Sequence, residues 1–176
     1  MKETSAGSVE FRHTDGVAIL TLTRPDAENR ITRQMAESGA AALERARRDR
    51  GTVGCVLTGY GDAFCTGGDY LGAGRRSAGQ LEFARAFNQL AQSMARLGKP
   101  LVAAVNGNAY AGGFSLVTLC DLAVCADDAK LGLPEASQGL FPLLALAIVK
   151  DSLPQKVFFE MVYRGRLLSA SEALSL

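Results

Sequence analysis

The chain predicts an α/β fold in which crossover helices connect mainly parallel strands. Short β-branched apolar runs alternate with longer stretches of helical periodicity along its whole length. Glycines gather where strands hand over to helices, nine of the 19 falling between Gly51 and Gly79. With 48% hydrophobic and 21% charged residues among 176, the composition is that of a globular protein. A chain of this length buries roughly 70% of its unfolded surface, enough for a core without staples.

Val17–Thr23 (VAILTLT) reads as a buried strand, and residues 9–12 pair with it as a hairpin across His13-Thr14-Asp15-Gly16. Arg24-Pro25 ends that strand. Thr32 is a natural N-cap for an alanine-rich helix running to Arg50, with Gly51 just past its end. Residues 54–58 form the next strand. Phe83, Phe87, Leu90, Met94 and Leu97 recur at spacings of four and three, the stripe of an amphipathic helix ending near Gly98. Leu101–Val105 is a buried strand, residues 112–120 a helix, 122–126 a strand and 130–133 a short extended piece. Residues 142–150, 154–163 and 169–176 read as helices, each opened by Pro or Ser. No internal repeat or low-complexity tract is evident.

Nineteen basic against 18 acidic side chains leave a formal charge of +1, which disfavours a nucleic-acid or membrane-surface partner. The N-terminal residues lack the apolar core of a signal peptide, and the most apolar stretch, 101–126, is broken by Asn106, Asn108 and Asp121, so a cytoplasmic protein is expected. Cys55, Cys65, Cys120 and Cys125 have no CxxC spacing and His13 is the single histidine, too few ligands for a metal site. No GxSxG elbow exists to form a serine hydrolase with that histidine. GxGxxG and GxxxxGK[ST] are likewise absent.

Two glycine junctions remain: Phe64-Cys65-Thr66-Gly67-Gly68-Asp69 after one strand and Asn106 to Phe114 after another. Open α/β sheets bind ligands beyond the carboxyl ends of their strands. The second junction opens a helix whose first N–H groups lack intrahelical acceptors, so an oxyanion would be stabilised there. Arg45, Arg47, Arg48 and Arg50 read as the polar face and last turn of their helix.

The pair FCTGGD and AVNGNAYAGG, followed by Cys120-Asp121 and Leu133-Pro134-Glu135, resembles the crotonase (enoyl-CoA hydratase/isomerase) superfamily. Arg24-Pro25 with Asn29 is similar to that family's RPxxxN segment, and SASEAL at 169–174 to its late helix. The resemblance implies a ClpP/crotonase-like spiral of repeated ββα units, here one core domain over residues 1–176 with a flexible lead-in at 1–8. It also implies a CoA or acyl-carrier thioester as substrate, no cofactor beyond that carrier, and a homotrimer or hexamer. The amides of Gly68 and Gly112 would hold the thioester oxygen as an enolate, and Glu135 would be the acid/base. Cys65, Thr66, Asp69, Tyr70, Tyr110 and Phe141 are the candidate substrate contacts, although Cys65 also reads as a small packing residue and Asp69 and Asp121 as structural. Arg75 and Arg76 are candidates for CoA phosphates.

Hydratases of the family carry a second glutamate at the position of Ser115, and glycines where this chain has Leu143-Leu144-Ala145. A single carboxylate suits double-bond isomerisation, which takes one proton off and returns it, better than addition of water. Phe64 to Thr66 and Ala111 to Phe114 also resemble the dehydratases of polyketide β-branching, and a non-catalytic acyl-CoA binder is a further alternative. The family normally continues beyond the SxxEAL helix into C-terminal trimerisation helices, so exposed apolar surface is expected here.

Overall fold

The computed structural model describes residues 5–69 and 77–176. Strands β1 (Ser8–Thr14) and β2 (Val17–Thr23) pair antiparallel with Thr14 opposite Val17. Asp15 and Gly16 between them have φ of 49° and 80°, the left-handed pair that a two-residue hairpin turn needs. Helix α1 (Arg33–Arg48) starts where expected, with the Met35 N–H donating to the Thr32 hydroxyl at 3.1 Å. It stops differently from the expected glycine cap. The C-cap Asp49 is extended, and its carboxylate accepts from the Gly51 N–H at 3.0 Å.

From there one pattern repeats. β3 (Gly54–Gly59) joins β2 in the first sheet, β4 (Ala63–Cys65) leaves for a second sheet, and α2 (Ser77–Ala95) returns the chain. β5 (Leu101–Val105), β6 (Asn108–Tyr110) and α3 (Gly112–Thr118) do the same. β7 (Leu122–Cys125) and β8 (Lys130–Gly132) follow, then a 3-10 turn at Pro134–Gln138 and α4 (Leu143–Val149). The chain closes with α5 (Gln155–Arg164), β9 (Leu167–Ser169) and α6 (Ala170–Leu174). The first sheet runs β1-β2-β3-β5-β7 and is parallel except for its hairpin; the second runs β4-β6-β8-β9. This is a ββα spiral, repeated in structure although the sequence shows no repeat.

The core lies under the first sheet. Ala18, Leu20 and Leu22 of β2 point into it, as do all five residues of the α2 stripe through Leu97. Strands β4, β6 and β9 are not anticipated by the sequence: residues 64–69 and 106–111 read as glycine junctions, and Ser169 reads as the start of a helix. Each is three residues long, and its partners lie far along the chain, Ala63 opposite Asn108 and Lys130 opposite Ser169, so no local periodicity could reveal it. Ser5 donates its N–H and hydroxyl to the Asp26 carboxylate at 2.8 and 3.0 Å, and Ser8 already belongs to β1. Large apolar side chains are exposed at Leu122 and Val124 on the edge strand β7, and at Leu140, Phe141 and Leu143. No helix among the described residues is long and apolar enough to cross a membrane.

Candidate active site

The second sheet brings the predicted groups together. β4, β6 and β8 are adjacent and parallel, with Cys65 beside Ala109 and Tyr110 beside Gly132. Gly68, Gly112 and Glu135 therefore follow the carboxyl ends of three adjacent strands, the edge at which sheets of this kind bind ligands. The sequence had assigned the two junctions to the first-sheet strands; the short intervening strands carry them instead. A hydrogen bond of 2.9 Å from the Ala111 N–H to the Gly132 carbonyl fastens the second end to the third.

Gly68 is aimed by the strand of backbone that wraps it. The Ile31 N–H donates to the Gly67 carbonyl at 2.9 Å and the Asp69 N–H to the Ile31 carbonyl at 2.8 Å. Because a trans peptide directs its C=O and N–H oppositely, fixing the Gly67 carbonyl on Ile31 turns the Gly68 N–H away from it. Behind this bridge Arg24 is buried, its Nη1 2.8 Å from Asp69 Oδ2 and 3.2 Å from the Arg30 carbonyl, while its Nε donates to the Ser5 carbonyl at 2.7 Å. Buried Asn29 completes the loop, donating to the carbonyls of Tyr60 and Ala63 and accepting from the Arg24 N–H at 2.8 Å.

The other amide is aimed by strain. Ala111 has φ 52° and ψ −119°, the first central position of a type II′ turn and a place for glycine. Its neighbour Gly113 is required by close approach, since a Cβ there would overlap the Cys65 carbonyl oxygen. A Cβ on Gly112, in contrast, would stand 3.5 Å from the Gly68 nitrogen and 3.4 Å from the Phe87 ring, which puts the two glycines side by side. Helix α3 has seven residues, too few for a long helix dipole, so what its start offers a ligand is its leading N–H groups. Ser115 is fully buried, and its hydroxyl donates to the Ala111 carbonyl at 3.2 Å. Ala111→Gly should relieve about 1–3 kcal/mol of strain against roughly 0.5–1 kcal/mol of added chain entropy. A melting midpoint raised by a few degrees in calorimetry is the expected outcome.

Glu135 follows β8 in the 3-10 turn, which Gly139 closes with φ 70°. Among the described residues its Oε2 is the one buried side-chain oxygen or nitrogen without a hydrogen-bond partner. Burial raises its pKa above the ordinary glutamate value, opposed by a weaker backbone hydrogen bond. A carboxyl held so is poised to exchange protons.

The remaining candidates divide. The Cys65 thiol, offered as a substrate contact, is instead wholly within the core, and burial pushes its pKa up to about 12, so it is an inert packing group. Asp69 is likewise turned inward to Arg24, and Asp121 accepts from the Leu101 N–H at 2.7 Å; both are structural. Thr66 donates to the Glu28 carboxylate at 3.1 Å. Tyr110 is half-buried, with its pKa raised by burial and by the Glu28 charge. Phe141 is 52% exposed. Tyr70, Arg75 and Arg76 lie outside the described residues. Ile31 and Ala111 were missed as determinants because both act through backbone geometry, which side-chain identity does not announce.

A spiral of ββα units whose second sheet gathers its strand ends into one site defines a protein of the crotonase superfamily. The enoyl-CoA hydratase/isomerase family model matches residues 12–176. The chain belongs to that family. It is 35% identical over 168 residues to a provisionally named enoyl-CoA hydratase of Thermus thermophilus, covering 91% of this chain and 65% of that protein. To the carnitinyl-CoA dehydratase of Proteus mirabilis it is 34% identical over 170 residues, covering 95% and 64%. The chain thus spans just under two thirds of the length of these curated relatives. The crystal structure of an enoyl-CoA hydratase from Mycobacterium smegmatis superposes with a TM-score of 0.89 at 30% identity, over 98% of this chain and 67% of that one.

Proposed function

We propose that the protein isomerises the double bond of an enoyl thioester, with acyl-CoA or an acyl-carrier protein as the carrier. The observation that carries this reading is the buried, unpartnered Oε2 of Glu135 at the end of β8, beside the strand ends that hold Gly68 and Gly112. The Glu135 carboxylate removes a proton from the α-carbon of a 3-enoyl thioester. The electron pair moves onto the thioester oxygen, where the two amides stabilise the enolate; preorganised donors of this kind contribute on the order of 3 kcal/mol each. Glu135 then returns the proton to the γ-carbon, leaving the 2-enoyl product conjugated. No cofactor beyond the carrier enters the balance. Tyr110 and Phe141 border the acyl group, the working assembly is a homotrimer or hexamer of the family's kind, and its place is the cytoplasm.

Ser115 supports isomerisation over hydration, since its buried hydroxyl bonds to the Ala111 carbonyl where a second carboxylate would be needed. A second reading, reversible hydration or dehydration, is favoured by the names of the Thermus and Proteus relatives. Incubating the protein with 3-hexenoyl-CoA in deuterated water separates the two. Isomerisation gives 2-hexenoyl-CoA with label at the γ-carbon when the abstracted proton exchanges, whereas 3-hydroxyhexanoyl-CoA as first product from 2-hexenoyl-CoA establishes the hydratase. Binding with neither product would leave the non-catalytic role.

A further inference from the structure

The hydrogen bonds behind Gly68 form a continuous line that begins at a buried cation. Arg24 Nη1 donates to the Arg30 carbonyl at 3.2 Å. The same peptide unit carries the Ile31 N–H, which donates to the Gly67 carbonyl at 2.9 Å. That second peptide unit carries the Gly68 N–H, whose nitrogen lies 3.5 Å from where a Cβ on Gly112 would stand. Each peptide is planar and trans, so its carbonyl and amide dipoles lie along the line rather than across it.

We infer that Arg24 is a positioning residue that polarises and directs the Gly68 amide through two peptide units. This rests on the oxyanion reading above and deepens it. Hydrogen bonds in a chain polarise one another, by roughly 10–30% per bond. Here the far end is a guanidinium that is 3% exposed, so solvent screens it little. Asp69, 2.8 Å from the same Nη1, keeps the cation from being buried alone and fixes where it stands. Its own N–H bonds to the Ile31 carbonyl, so the peptide units on either side of Ile31 are tied to the segment 67–69, one through the Ile31 N–H and the other through the Ile31 carbonyl. Glu28 and Asp26 are the other carboxylates of this loop, and they point elsewhere, to Thr66 and Ser5. The arrangement strengthens one donor of the hole without a side chain entering the site.

The test reads the thioester carbonyl directly. Trans-2-hexenoyl-CoA labelled with carbon-13 at the carbonyl is bound to the full chain and its stretching band measured by infrared difference spectroscopy, alongside kcat and KM. The wild type is expected to shift the band to lower frequency. In Arg24→Met/Asp69→Asn, which removes both charges together, most of that shift is lost and kcat falls about tenfold, less than the 10²–10³ for loss of a whole donor. KM stays near the wild-type value, because contacts to the rest of the thioester are untouched. Arg24→Lys keeps the charge but not the fork, and falls between the two. Leu43→Ala, a core change in α1, lowers stability while leaving the shift intact.

A wild-type band in the double variant, or a raised KM at unchanged kcat, overturns the inference. Should that variant not fold, Arg24→Lys decides alone: an undiminished shift and kcat overturn it equally. Equal loss of the shift in Leu43→Ala would reduce Arg24 to a stabiliser of the fold. A wild-type chain that binds the probe without shifting the band refutes the oxyanion reading itself and this inference with it.

Discussion

Glu135→Gln is expected to lower kcat on a 3-enoyl thioester by about 10³ and, at neutral pH, to raise the melting midpoint. The two effects have one cause. Burial raises the pKa of this carboxyl above its ordinary 4.5, so the folded chain holds the proton more tightly than the unfolded chain does. Its contribution to stability is therefore fully present below the unfolded pKa and is lost as pH rises through the folded one. Glutamine stays neutral throughout, so variant and wild type melt together in acid and diverge toward neutrality, the variant being the more stable. The same ionisation makes the base, and wild-type kcat should rise with pH along a limb lying above the range of an exposed glutamate. That limb disappears in the variant. Calorimetry over an acid-to-neutral series, run beside the pH–rate profile, checks both; equal midpoints at neutral pH with unchanged turnover would falsify the assignment.

The neighbouring glycines of α3 should respond in opposite ways. At Gly112 an added methyl meets Phe87 at 3.4 Å and the Gly68 nitrogen at 3.5 Å, all ordinary contacts. Gly112→Ala therefore folds, gaining up to about 1 kcal/mol from helix propensity, but its methyl occupies the space the thioester oxygen must enter. Loss of kcat by about 10² is expected with an undiminished melting midpoint. At Gly113 the same methyl has nowhere to go, because the Cys65 carbonyl already fills its place. Gly113→Ala must separate β4 from α3, at about 3 kcal/mol or more, and its midpoint should drop by about 10 °C. Both variants lose activity, and melting curves tell blockage from unfolding. Full activity in Gly112→Ala would remove this amide from the mechanism.

What the sequence disclosed depended on the range of the interaction. The first hairpin, the Thr32 cap and the α2 stripe are decided within a few residues and are legible locally, although the hairpin turn is Asp15-Gly16 alone, with His13 and Thr14 still in β1. Strands β4, β6 and β9 are decided by partners tens of residues away and were invisible. The glycines of the site were legible as glycines, but Gly112 and Gly113 look alike in sequence and differ only in what stands opposite each Cβ. Glu135 followed an unremarkable proline, and only the family pattern singled it out before its buried oxygen was seen. Arg24 was legible as half of a motif. That its guanidinium heads a line of peptide dipoles required the positions of Arg30, Ile31 and Gly67, whose part is played by backbone atoms that every residue possesses.

The splitting of each ββα unit between two sheets also governs how the protein is made. A unit that has placed β3 in the first sheet must still wait for β6 before β4 has a neighbour, and β6 in turn pairs with β8. Neither sheet is then a separable folding unit, and each new turn of the spiral completes the one before it. Gly68, Gly112 and Glu135 belong to three successive turns, so no partly wound chain possesses the site. If these three residues carry the proposed chemistry, an emerging chain would acquire it only once its third turn has docked.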